Sequence, residues 1–302
     1  ITVTDANLCQ ALASSPPITQ PSSPVGAVGP SSINCSGGTT SATVTASGGT
    51  PGYTYLWNPT AQTTTTATGL PANNYTVIVT DANSCTQTTT FVIVQPPLLV
   101  SSIISFTNVS CFGGSNGTAT VSASGGTPGY NYSWVPIGGN GPTGVGLSAG
   151  TYTVNITDAL GCTESSTVNI TQPASALTAT GVSASVSCFG GSNGSIIVTH
   201  AGGTPGYSYV WNPAVSSGPS AAGLTTGNYS ILVSDANGCQ ANVAITVSQP
   251  AAAVSISLTV VNPACGLSTG SISSQVSGGT GPYSYLWSSG ASTTPGISGL
   301  SP

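Results

Sequence analysis

Eight cysteines are the residues of this chain whose type and spacing most directly specify a bond. They recur twice in each repeat of about 77 residues, as Cys35 and Cys85, Cys111 and Cys162, Cys188 and Cys239, with Cys9 and Cys265 in the partial repeats at either end. An even, regular set in modules too small for a large core calls for disulfides and an oxidising, extracytoplasmic setting. Spacing does not fix the partners. Pairing within a module is expected because each complete module carries its own two cysteines, and closing loops of about 50 residues contributes about 4 kcal/mol in the chain-entropy model. Against it, the two turns concerned lie at opposite ends of an immunoglobulin-type domain. Pairing across the linker, as Cys85 to Cys111, uses a constant 26-residue spacing, and pairing between neighbouring modules, as Cys35 to Cys162, stays open as well. No repeat supplies a C-x-x-C pair or a recurrent histidine, so no metal ligands are assigned.

Three other constellations bear on chemistry. His200 is the single histidine and stands where other modules have Ala46, Ala123 and Val276, so it reads as a tolerated strand-end residue with no catalytic partner. Asp81, Asp158 and Asp235 recur once per module. Calcium needs six to eight oxygens with several carboxylates, so each aspartate reads as capping the backbone amides of its own Asp-Ala-x turn. The aromatic run Tyr53-Thr-Tyr55-Leu-Trp57 returns at Tyr130, Tyr132 and Trp134, at Tyr207, Tyr209 and Trp211, and at Tyr283, Tyr285 and Trp287. A tryptophan in that place is core, while the tyrosines beside it are candidates for stacking against a glycan. No catalytic residue, cofactor or bound metal follows from any of these, and an enzyme is not expected.

Composition narrows the partners further. There is no lysine or arginine, the net charge is -5, and charged residues make up 2% of the chain. Nucleic acid and anionic lipid lack cations to meet, and phosphate-gripping loops and Schiff-base chemistry fail for the same reason. Lysine–asparagine isopeptide crosslinks are excluded, and trypsin has no site. The partners expected are neighbouring repeats of the same long chain, surface polysaccharide, and other copies of the protein, with no direct membrane insertion.

The elements that position these residues are strands. In the third module a first strand covers 177–186 and Cys188-Phe-Gly-Gly-Ser-Asn-Gly194 forms a glycine-rich turn. A second strand then puts Ile196, Val198 and His200 on one face. Gly202-Gly-Thr-Pro-Gly206 turns into the aromatic strand. A Pro, Ser and Gly-rich stretch ends at Leu224, a strand with Tyr229, Ile231 and Val233 inward follows, and Asp235-Ala-Asn-Gly238 reverses into Val243, Ile245 and Val247. Tyr229 resembles a tyrosine corner. Six or seven short strands without helical periodicity predict an all-β fold of tandem immunoglobulin-like β-sandwich repeats in an extended rod. The expected divisions are a partial repeat at 1–21, complete repeats at 22–96, 97–173 and 174–250, and a partial repeat at 251–302, with Gln20-Pro21, Gln95-Pro96, Gln172-Pro173 and Gln249-Pro250 as linkers. Aligned on the repeat, Pro302 falls opposite Ala72 and Ile1 opposite Val77, so the chain reads as a window on a longer array.

The ordered set Cys-Phe-Gly-Gly-Ser-Asn-Gly, Gly-Gly-Thr-Pro-Gly-Tyr with Trp, Gly-x-Tyr and Asp-Ala-Asn-Gly-Cys resembles the SprB repeat of Bacteroidetes cell-surface, gliding-type adhesins along nearly the whole chain. The resemblance implies a very long protein exported by type IX secretion and displayed on the cell surface, with adhesion ahead of gliding motility as its role. Residues 21–34 and Gly281-Pro282 depart from the pattern, and no type IX sorting domain is present in the sequence. The function expected is therefore a structural stalk and multivalent adhesive surface. The alternatives are a carbohydrate-binding repeat array and a subunit of a self-assembling extracellular sheath or filament.

Overall fold

Alternation decides which residues go inside. Along Asn73–Thr80, Tyr75, Val77 and Val79 share one face and are no more than 2% exposed, while the side chains between them point outward. The same alternation recurs in Gly150–Thr157 and Gly227–Ser234 of the computed structural model, which describes residues 1–20, 22–29, 31–288 and 293–301. Pro21, at the first expected linker, lies outside the described residues.

Strands β1 (Thr2–Thr4) and β2 (Gln10–Leu12) form an isolated hairpin. Six strands follow: β3 (Val25–Val28), β4 (Thr40–Ser47), β5 (Thr54–Asn58), β6 (Thr66–Leu70), β7 (Asn73–Thr80) and β8 (Thr86–Ile93). The pattern recurs as β9 (Val100–Thr107), β10 (Gly117–Ser124), β11 (Asn131–Val135), β12 (Thr143–Leu147), β13 (Gly150–Thr157) and β14 (Thr163–Ile170). It recurs again as β15 (Thr178–Ala184), β16 (Gly194–Ala201), β17 (Ser208–Asn212), β18 (Ser220–Leu224), β19 (Gly227–Ser234) and β20 (Gln240–Val247). The final set is β21 (Ser255–Val261), β22 (Gly270–Ser277) and β23 (Gly296–Leu300). No described residue is helical.

Each complete set makes two three-stranded antiparallel sheets, ordered β3-β4-β6 and β5-β7-β8 in the first copy and β15-β16-β18 and β17-β19-β20 in the third. The chain changes sheet between β4 and β5, returns between β5 and β6, and changes again between β6 and β7, which is the immunoglobulin-like order. In the first and third modules the inner faces meet in one core each. In the first it comprises Ile33, Ala42, Val44, Trp57, Ala67, Leu70, Tyr75, Val77, Val79 and Ile93, drawn from both sheets.

By packing, the chain divides into two compact units. One is Ile1–Ser105 with Ala119–Gly144 and Tyr152–Val168, and the other is Phe106–Thr118 with Val145–Thr151 and Asn169–Pro302. The first holds the β3–β8 sandwich, and the second holds the β15–β20 sandwich and the β21-β22-β23 sheet.

The low-complexity stretch before Leu224 hides a strand. In β18 the register slips between Gly194↔Leu224 and Ser195↔Ala222, and Gly223 sits at φ +71° in the slip. Thr40↔Leu70 and Ala42↔Ala67 flank the same slip in the first module, with Gly69 at φ +67°. A left-handed glycine before a buried leucine is therefore a bulge signature, and alternation cannot be read across it.

Candidate functional site: bridged turns and the aromatic ladder

The turn from strand β7 to β8 is organised by one carboxylate. Asp81 Oδ1 accepts the amides of Asn83 at 3.0 Å and Cys85 at 2.8 Å, and Oδ2 accepts the amide of Thr50 at 2.9 Å from the turn between β4 and β5. Asp158 repeats the set with Leu160, Cys162 and Thr127, and Asp235 with Asn237, Cys239 and Thr204. All three carboxylates are buried, and the Thr50, Thr127 and Thr204 amides lead the hydrogen bonds that hold each below the usual aspartate range, against the opposing effect of burial. The aspartates thus cap their own turns as the sequence indicates, and also tie two turns together, which the sequence does not show. This close approach explains the glycine pair before Thr-Pro-Gly: a Cβ on Gly49, Gly126 or Gly203 would lie 2.6 Å from the carboxylate oxygen, at positive φ. Among the described residues no three His, Cys, Asp or Glu side chains gather.

The turn between β3 and β4, which carries Cys35, is fixed from the far end of the module. Gln95 Oε1 accepts the Gly37 amide at 2.8 Å, Gln172 does the same for Gly113, and Gln249 for Gly190. Beyond β3 the chain crosses to the other sheet, where Ile33 N–H donates to the Val94 carbonyl in a parallel bridge at Ser32. At three of the Gln-Pro pairs read from sequence as linkers, Gln95, Gln172 and Gln249 thus also tie the cysteine turns.

The bridges are Cys35–Cys162, with Cα atoms 5.5 Å apart, and Cys111–Cys239, with Cα atoms 5.7 Å apart. This corrects the expected pairing within a module. Cys35 lies beside Gln95 and Cys85 beside Thr50, at opposite ends of the eight-residue β8, about 26 Å of strand, whereas a disulfide needs Cα atoms within about 7 Å. Each bond therefore runs from the first turn of one module to the last turn of the next. Around them Cys162 Sγ lies 3.2 Å from the Asn34 carbonyl, and Asn237 Nδ2 donates to the Ser110 carbonyl at 3.0 Å. Pairing across the linker does not occur either. Cys85 and Cys188, named as disulfide candidates, are exposed thiols, as are Cys9 and Cys265.

The aromatic run lies on an inner face. Trp57, Trp134 and Trp211 are buried, and each indole N–H donates to a carbonyl seven residues on, at Thr64, Gly141 and Gly218. Tyr53, Tyr130, Tyr207 and Tyr283 each give their hydroxyl to the first glycine carbonyl of the preceding turn, at Gly48, Gly125, Gly202 and Gly278. Tyr55, Tyr132, Tyr209 and Tyr285 are half-buried. His200 belongs to this cluster, with Nδ1 2.7 Å from the Tyr209 hydroxyl and its ring 3.9 Å from that of Tyr207. It stands near the end of β16, as expected, and packs against the ladder. The tyrosine corner is present too, since Tyr75 donates to the Pro71 carbonyl and Tyr229 to that of Thr225.

Residues 28–62, 103–139, 180–216 and 257–292 each match the SprB repeat. The chain belongs to the SprB-repeat family. Each match runs from the first strand of a module to just past its aromatic run, and therefore takes in the cysteine turn after the first strand and one ladder. SprB repeats belong to cell-surface proteins, and two disulfides accord with an extracellular one. None of the curated proteins matches this SprB-repeat chain. Solved structures to which it is similar include three N-terminal domains of the highly immunogenic outer capsid protein of bacteriophage RB49, at 15% identity and a TM-score of 0.35, covering 74% of this chain and 99% of that one. Immunoglobulin domains 1–5 of Sidekick-1 share 12% identity at a TM-score of 0.30, covering 76% and 60%. The eight N-terminal immunoglobulin domains of the Down syndrome cell adhesion molecule share 12% at 0.25, covering 83% and 51%. The immunoglobulin-like assignment rests on strand order and core composition.

Proposed function

We propose that this chain is the repeat region of a bacterial cell-surface adhesin, a non-enzymatic stalk that also presents a multivalent adhesive surface. The observation that carries the reading is the covalent joining of successive modules through Cys35–Cys162 and Cys111–Cys239. A pull along the chain then meets a bond across each of these junctions as well as the strand ladders within each sandwich. Adhesion by such a surface comes from copy number, because many weak contacts on one tether raise avidity without a strong single site. Export by type IX secretion and a gliding role extend the proposal through the family. The test is attachment under flow of beads coated with the oxidised chain, to bacterial and host surfaces. Retention that rises with the number of repeats supports the reading, and retention equal to that of bare beads removes it.

A carbohydrate-binding array is the second reading, favoured by the half-buried rather than sealed rings of Tyr55, Tyr132 and Tyr209. It requires glycan-array binding that disappears on Tyr55→Ala with Tyr132→Ala and Tyr209→Ala. Polysaccharide binding that survives the triple substitution places the contact elsewhere.

A further inference from the structure

The two bridges interleave. Cys111 lies inside the span of Cys35–Cys162, and Cys162 lies inside the span of Cys111–Cys239. Each bond fuses two points of the chain into one covalent node. Three separate limbs of backbone then join the Cys35/Cys162 node to the Cys111/Cys239 node: residues 36–110, 112–161 and 163–238. Pairing within modules, or across linkers, would instead have strung closed loops on a line, with a single backbone crossing from one loop to the next.

Both nodes are built on turns already held by side chains. At the first, Gln95 Oε1 accepts the Gly37 amide and Asp158 Oδ1 accepts the Cys162 amide. At the second, Gln172 Oε1 accepts the Gly113 amide and Asp235 Oδ1 accepts the Cys239 amide. Cys162 is buried, the other three bonded cysteines are half-buried, and Cys239 Sγ lies 3.4 Å from the Ser110 carbonyl, so the sulfurs are partly covered. The limbs are more open. Leu98 and Phe106 on the first are 64% and 53% exposed, and Phe112 on the second and Phe189 on the third are 49% exposed, all side chains that chymotrypsin accepts.

We propose that the interleaved bridges make this chain a three-limbed tether, which stays in one covalent piece when its backbone is cut at any single place between residues 36 and 238. Severing the two nodes from each other takes a cut on every limb. Hydrolysis of a peptide bond consumes one water and leaves a new amine and a new carboxylate, and neither product breaks a sulfur–sulfur bond. The same connection limits stretch. When every module unfolds under tension, the middle limb of about 50 residues draws taut first and stops the nodes about 170 Å apart. The whole chain then reaches about 500 Å rather than the roughly 1,000 Å of an unbridged one. A surface tether with these properties survives both proteolytic nicks and overstretching. This use rests on the stalk reading, whereas the connection rests on the two bridges alone.

The test alkylates the free thiols of the oxidised full chain, nicks it with limiting chymotrypsin, maps each nick by mass spectrometry and compares denaturing gels with and without reductant. Singly nicked chain is expected to run as one piece without reductant and as two with it, including chain cut after Leu98, between modules. Two variants separate the limbs even where a module fails to fold, because the gel reads covalent connection only. In Cys35→Ser a nick within 36–110 parts the chain and a nick within 112–238 does not. In Cys239→Ser a nick within 163–238 parts it and a nick within 36–161 does not. Stretched between its ends by force spectroscopy, the unfolded chain is expected to lengthen about twofold on reduction. Parting without reductant after one nick at Leu98 or within 112–161, or equal reach before and after reduction, would overturn the proposal. Gel and stretching curve read connection without attachment, so they stand or fall separately from the bead test of the stalk.

Discussion

One aspartate per module does the work of two caps. Because Asp81, Asp158 and Asp235 are held below the usual carboxylate range by backbone amides, the unfolded chain binds more protons than the native one wherever pH lies between the lowered and the ordinary value. Their contribution is complete above about pH 4, the ordinary aspartate value, and is lost as pH falls through the lowered one. Thermal melts from pH 7 to pH 2 are expected to be flat above pH 5 and to drop below pH 4. In Asp235→Asn the midpoint at pH 7 falls and the acid slope attributable to that module flattens, and an unchanged acid slope would remove this account. Among apolar residues Trp211 matters most in its module, since it fills the core and satisfies the Gly218 carbonyl. Trp211→Ala is expected to cost about 3–5 kcal/mol in urea unfolding, the range for emptying an aromatic core site.

At the scale of elements, the cysteine turns are placed by partners far away in sequence. Gln95→Ala withdraws the acceptor of the Gly37 amide and is expected to destabilise the first module by about 1 kcal/mol, read by denaturant midpoint. The bridges join turns 127 and 128 residues apart. In the chain-entropy model a loop of that length is worth about 5 kcal/mol when both modules unfold together. Cys35→Ser is therefore expected to lower the midpoint of the joined modules and to leave Cys162 reactive to alkylation, while Cys111–Cys239 still appears in a non-reduced peptide map. The strands themselves were legible in sequence wherever alternation was clean, as in Tyr229, Ile231 and Val233. They were not legible at β18, because the bulge at Gly223 interrupts the period of two that makes a strand visible. The Gln-Pro pairs stood out in sequence but their role did not, since the amide they hold is 58 or 59 residues away.

For the whole molecule, the near absence of charge leaves hydroxyls, amides and glycine to solvate the surface, with many isolated apolar side chains among them, such as Val182 at 74% exposed and Val210 at 63%. Nonspecific association is thus opposed by little electrostatic repulsion, and salt is expected to change the attachment of this SprB-repeat chain to surfaces very little. Attachment that falls several-fold between 50 mM and 500 mM salt would show an ionic partner that the composition gives no means of binding.

The sequence by itself determined the repeat, the family, the all-β class and the identity of the core. Each of these follows from side-chain alternation and turn chemistry acting over a few neighbouring residues. It also determined which residues could bond, naming cysteines, aspartates and tyrosines at fixed places. Only the tertiary structure decided what they bond to: Cys35 with Cys162 rather than Cys85, Asp81 with Thr50, Gln95 with Gly37. The physical reason is that a β-sandwich sends successive turns to opposite ends, so proximity along the chain and proximity in space part company at the very turns where the reactive groups are kept.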